Sequence, residues 1–139
     1  MAKSEGLKDA ERNGRAWAKE ITRMMRKLRK ARDIGDDKAR DEAGQEISES
    51  PLSIEVRTGW YTPGQRYLAG AEEFCILLST GGPALRIFGT LNRHDEPETA
   101  RMQVQCWGIP WCDLNLSIDR ETDVLEFAQF FNFYDHVEA

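Results

Sequence analysis

Along the first third of the chain, apolar residues recur at Leu7, Ala10, Gly14, Trp17, Ile21, Met24, Leu28 and Ala31, in alternating steps of three and four. Charged residues fill the gaps. This is the a/d spacing of a heptad, and it predicts one long helix from about Leu7 to Arg32. Gly35 then stands where a C-cap glycine belongs. Asp36 is placed to cap a second helix, over about 36–48, in which Ala39, Ala43 and Ile47 share a face. Residues 1–50 thus read as a helical hairpin. Its apolar stripe packs either on the chain's own sheet and second helix or against the same stripe of a second copy.

After Pro51 the apolar period shortens to two. Leu52, Ile54 and Val56 alternate with Ser53, Glu55 and Arg57, the pattern of a half-buried strand. Residues 74–78 and 84–91 read as two further strands, separated by Ser79, Thr80, Gly81, Gly82 and Pro83. The paired glycines supply the positive φ angles of a tight turn, so the two strands form a hairpin. The first is apolar on both faces, which places it inside the sheet, with helices on one side and a partner surface or second layer on the other. In the second, Leu85, Ile87, Gly89 and Leu91 point one way and Arg86, Phe88 and Thr90 the other.

Beyond a polar turn at 92–98, Met102, Val104 and Cys106 share one face of a strand, and Arg101, Gln103, Gln105 and Trp107 share the opposite face. Trp107, Gly108, Ile109, Pro110 and Trp111 make a rigid corner. Leu114, Leu116 and Ile118 suggest a last short strand. Asp119 or Thr122 is expected to cap a closing helix that runs through Tyr134 and buries Val124, Leu125, Phe127, Ala128 and Phe131. Phe133 and Tyr134 join the core or meet a second subunit. The expected fold is α+β, with the N-terminal helical hairpin and the C-terminal helix packed on a four- to five-stranded antiparallel sheet. Residues 51–139 carry the sheet and last helix, and the whole forms one globular domain.

At 139 residues, 40% hydrophobic and 31% charged, the chain can bury one modest core. No apolar run approaches the roughly 20 residues that span a bilayer, and the N-terminus does not read as a signal segment. A cytoplasmic protein without a membrane partner is expected. Cys75, Cys106 and Cys112 are odd in number and lack the paired spacing of a zinc ribbon, so they read as reduced thiols and no metal is expected.

The net charge of −5 is unevenly spread. Residues 1–50 hold 13 basic and 11 acidic side chains, and the remainder 6 and 13. Arg23, Arg26, Lys27, Arg29, Lys30 and Arg32 form a run without an anion. It either complements the C-terminal end of the helix dipole or offers Arg23, Arg26, Lys27 and Lys30 to an acidic partner surface. Because the chain as a whole is acidic, direct binding of nucleic acid is not expected. The loop at 59–70, with Trp60, Tyr61 and Tyr67, is too aromatic for a mere connector: it binds something or folds back over the sheet edge.

Two histidines, His94 and His136, assemble no nucleophile–base pair, and the chain has no phosphate-binding or dinucleotide fingerprint. The carboxylates fall on faces expected to be solvated. Binding without catalysis, and without a cofactor, is the resulting expectation.

Pro51, Leu52, Val56, Arg57, Gly59 and Trp60, then the stretch from Ile76 to Ala84 with Arg86, Ile87 and Gly89, then Gln105, Trp107, Gly108, Pro110 and Trp111, resemble small accessory proteins of phages and plasmids. The nearest named group is the anti-Thoeris signal-sequestering proteins, and the resemblance covers roughly residues 36–134. Cys106 stands where that pattern has an acidic residue, and the tail after Tyr134 is longer. The resemblance implies sequestration of a cyclic ADP-ribose-type nucleotide signal. A small acidic phage protein also resembles anti-CRISPR inhibitors, which implies direct binding to a host defence protein complex. For the nucleotide, Arg86, Phe88, Gln103, Gln105 and Trp107 would present aromatics, amides and a guanidinium from one sheet face, joined by Arg57. Alternatively that face is covered by the 59–70 loop or by a second subunit. A two-fold homodimer is expected, since an apolar sheet and heptad stripe in a short chain leave surface that wants a partner.

Overall fold

The computed structural model describes residues 5–80, 84–105 and 110–134. Helix α1 spans Glu5–Ile34 and α2 spans Asp37–Glu49. They are followed by strands β1 (Ser53–Thr58), β2 (Ala71–Ser79), β3 (Ala84–Thr90), β4 (Arg101–Gln105) and β5 (Cys112–Asp113), and by helix α3 (Ile118–Gln129). The strands form one antiparallel sheet in sequence order, β1-β2-β3-β4-β5. The fold is α+β as expected.

The heptad stripe is buried within the chain. Ala10, Gly14, Ile21, Met24, Leu28 and Ala31 are covered, and Ala18, Thr22 and Met25 widen the stripe beyond the a/d seam. Such width suits a helix lying on a sheet and a second helix, not a two-stranded coiled coil. α1 packs on α2 and α3 and lies over β3 and β4. At Gly14 it comes so close that a Cβ would sit 2.9 Å from Leu114 Cδ2 and 3.0 Å from Val104 Cγ1.

The turn between the helices is a Schellman motif. The Gly35 amide donates to Arg32 O (3.2 Å), the Asp36 amide donates to Ala31 O (3.1 Å), and Gly35 has φ +70°. Asp36 then caps α2 by accepting from the Ala39 amide at 3.0 Å.

The register separates two faces. Toward the helices lie Phe74, Ile76 and Leu78 of β2, Leu85 and Ile87 of β3, and Met102 and Val104 of β4, all buried with Ile21, Ile47, Val124 and Phe127 in one core. Gly89 belongs to the same row for a steric reason: a Cβ there would stand 1.9 Å from the Thr99 carbonyl oxygen. The turn expected at 92–98 is built on Asn92, whose side-chain oxygen accepts from the amides of His94 (2.8 Å) and Glu96 (3.1 Å). Asp95 adopts φ 60° within it.

Five expectations are corrected. β5 is Cys112–Asp113, not Leu114 to Ile118: Leu114 pairs for one more bond, its amide to Met102 O at 2.8 Å, and Ile118 opens α3 at 81% exposure. Ser117, not Asp119 or Thr122, caps α3, accepting from the Arg120 amide at 3.3 Å, while the Thr122 hydroxyl donates to Ile118 O. α3 stops at Gln129, five residues before Tyr134, because bonds from Phe130 to Phe127 and from Phe131 to Ala128 tighten its last turn and Phe133 folds back against Phe74. Leu52 precedes β1 and is 61% exposed, and Ile54 is 42% exposed, since the helices sit over β3 and β4 and β1 is the far edge. The carboxylates are not all solvated: Asp123 is 8% exposed.

The hairpin residues Gly81, Gly82 and Pro83, the corner residues Cys106, Trp107, Gly108 and Ile109, and His136 lie outside the described residues. Among the described residues no helix is long and apolar enough to cross a membrane.

Candidate functional site

Antiparallel pairing sets side chains of directly opposed residues on one face. Three such rows cross the outer surface of the sheet: Arg57, Glu73 and Thr90; Glu55, Cys75, Phe88 and Arg101; and Ser53, Leu77, Arg86, Gln103 and Asp113. Among the described residues no helix covers them. Phe88, Cys75, Leu77, Arg86 and Gln103 are only half-buried.

Arg86 is the centre of this face. Its guanidinium carbon lies 4.2 Å from the centroid of the Trp111 ring and 5.0 Å from that of Phe88, both within cation–π reach. Its Nε donates to Gln103 Oε1 at 2.8 Å, and Gln103 Nε2 donates to Asp113 Oδ1 at 2.8 Å. Arg101 pairs with the same carboxylate at 3.4 Å. On the other flank Arg57 stands 5.8 Å from the Phe88 centroid and pairs with Glu73 at 2.6 Å. Beneath them burial pushes the Cys75 thiol up, against the opposing field of Arg86, so it stays protonated and unreactive near neutrality.

Arg57, Arg86, Phe88 and Gln103 therefore converge as the sequence suggested. Gln105 shares their face but stands at the far end of β4, opposite Ala84, and Trp107 lies outside the described residues. Comparisons with models of protein families, with curated proteins and with solved structures find no match. The site rests on its own geometry. That geometry adds Trp111, Arg101, Asp113 and Glu73 to the set inferred from sequence. Trp111 had a signal, since the Pro110–Trp111 corner directly precedes the strand that pairs with β4; the ion pairs had none, because they depend on register.

The face continues into the loop after β1. Thr62, Pro63, Gly64 and Gln65 form a type II turn, with Gly64 at φ +84° and the Gln65 amide donating to Thr62 O at 2.9 Å. It holds Trp60 and Tyr61 outward, and Trp60 is wholly exposed. Arg57, Trp60, Tyr61, Glu72 and Glu73 line an open groove of about 720 Å³. The rings do not fold back over the sheet edge, the second of the two readings of this loop.

The basic run on α1 divides in two. Arg23 bonds Glu20 and Glu46, Lys27 bonds Glu46 at 3.2 Å, and Arg29 pairs with Asp123 (2.7 Å) and Glu126. These ties fasten α1 to α2 and α3. Arg26, Lys30 and Arg32 remain exposed and have no side-chain partner among the described residues.

Proposed function

We propose that the chain is a binding protein, that the outer sheet face centred on Arg86 is its binding surface, and that the ligand is another protein's surface. The supporting observation is the charge and ring bookkeeping of that face. Arg57, Arg86 and Arg101 are matched by Glu55, Glu73 and Asp113, and Phe88 and Trp111 are both already engaged by Arg86. A nucleotide signal needs surplus cations for phosphate and free rings for a base. A flat surface with neutral charge balance, arginine and aromatic anchors and polar surroundings instead has the make-up of a protein–protein hot spot. Five strands of this length span roughly 500 Å², over half of the about 800 Å² that each partner contributes to a standard interface. The Trp60 loop extends it.

The resemblance to phage and plasmid accessory proteins gives the partner its class, a host defence complex, and the role that follows is inhibition of that complex. The nucleotide reading keeps the groove beside Arg57, with Trp60 and Tyr61 for stacking, although Glu72 and Glu73 oppose phosphate there. Phage plating on cells that carry single defence systems, with and without the protein, tests both. Rescue by the parent and none by Arg86→Ala/Trp111→Ala is expected, with no nucleotide released from the purified protein on denaturation. Rescue that survives the double change removes the outer face from the account, and a stoichiometric nucleotide in the released fraction replaces the protein partner with a signal.

A further inference from the structure

Among the described residues, β1 is an open edge of the sheet. Natural edge strands are blunted by lysine, proline, bulges or shortness. The opposite edge, β5, has two residues, whereas β1 has six, Ser53–Thr58, with neither proline nor lysine; its pairing with β2 is regular from Ser53 to Arg57 and shifts register only between Arg57 and Thr58. Its flank carries three exposed large apolar side chains: Leu52 is 61% exposed, Ile54 42% and Trp60 104%. Beside it, Ile54, Val56, Phe133 and Tyr134 line an open groove of about 240 Å³.

We infer that β1 pairs antiparallel with β1 of a second copy, about a two-fold axis through Val56. The register follows from charge. With Val56 opposite its own mate, Glu55 faces Arg57 of the other copy twice, Ile54 faces Thr58, and exposed Leu52 meets exposed Trp60. A shift of the axis to Glu55 sets two carboxylates opposite each other, and a shift to Arg57 sets two guanidiniums opposite each other. Like charges in directly opposed positions destabilise a strand pair, so of these three registers the one centred on Val56 is favoured. The contact is isologous and closes on itself, which ends the chain of pairing at two copies. It also relocates the dimer expected from the heptad stripe, whose residues are spent inside the chain. The two five-stranded sheets become one, and the two outer faces join across the axis.

Sedimentation equilibrium on the full chain tests the register directly. The parent should sediment at twice the chain mass. Glu55→Arg and Arg57→Glu, each alone, should raise the dimer dissociation constant by roughly tenfold or more, since each sets like charges together twice. An equimolar mixture of the two should return to near-parental affinity as a heterodimer, because both cross-strand pairs are then restored. Ile54→Lys, exposed in the single chain, should weaken the dimer without touching the Arg57–Glu73 pair, and it decides the matter should Arg57→Glu unfold. A parent that stays at one chain mass, a Glu55→Arg or Ile54→Lys variant that dimerises as the parent does, or a folded mixture that fails to recover would each overturn the proposal.

Discussion

The two faces of one sheet are made of alternate residues of the same strands, yet they obey different physics. Ile76, Leu85, Ile87, Met102 and Val104 are essentially removed from water and packed against three helices. Their neighbours Leu77, Arg86, Phe88 and Gln103 are half-exposed and satisfy one another laterally through hydrogen bonds and ring contacts. The inner face gains its stability from burial, at about 25 cal/mol per Å² of apolar surface. The outer face gains little, since exposed ion pairs contribute about 0–1 kcal/mol each. Stability is thus concentrated on one side, and the composition of the other is left free of that demand.

The largest break in this contrast should come from the inner face. Gly89→Ala drives a methyl into the Thr99 carbonyl, and Phe127→Ala empties a fully buried site, so each should lower the unfolding free energy in urea by about 3 kcal/mol or more. Asp123→Ala should cost less, about 1–3 kcal/mol. It removes the acceptor of the Thr22 hydroxyl (2.7 Å) and one of the two carboxylates on Arg29, breaking a polar cluster between α1 and α3 in which Thr22 and Asp123 are buried. Neighbouring Asp123 and Glu126 hold the Arg29 guanidinium above its ordinary range, so that cluster keeps its cation throughout the accessible pH range.

The smallest effect should be a pH dependence at the α1–α2 clasp. The hydrogen bond from Arg23, helped by Lys27, holds the Glu46 carboxyl below the usual carboxylate range. A carboxyl whose folded-state pKa is depressed contributes stability above its unfolded pKa and loses it as pH falls through the folded one. The stability difference between parent and Glu46→Gln should therefore be present at pH 7 and shrink toward zero as pH drops below about 4, as thermal melts across that range would show. Because Glu46 is about a third exposed, the difference should be modest.

The inner face was the legible one in sequence. Period and steric need are local signals: the heptad stripe, the Gly35–Asp36 stop and start, and the alternation through β3 and β4 each imply their environment without knowledge of partners. Tertiary context decides the rest. Asp123 looks like any surface carboxylate until Thr22 and Arg29, about a hundred positions earlier, are brought to it. Ile54 has the right period for burial, and only its place on the sheet edge exposes it. On the outer face Arg57, Arg86, Phe88 and Gln103 were legible because alternation assigns faces, while Asp113 and Arg101 became members through the pairing of β4 with β5.

The claim that the outer face serves binding and not packing is tested most directly by urea unfolding of Arg86→Ala/Trp111→Ala beside Phe127→Ala, with the same preparations carried into the phage-plating assay. The double variant should stay within about 1–2 kcal/mol of the parent while rescue is lost, because it removes two cation–π contacts, the half-buried Arg86–Gln103 hydrogen bond and a half-exposed ring. A loss of stability as large as that of Phe127→Ala, or full rescue by a stable double variant, would contradict it.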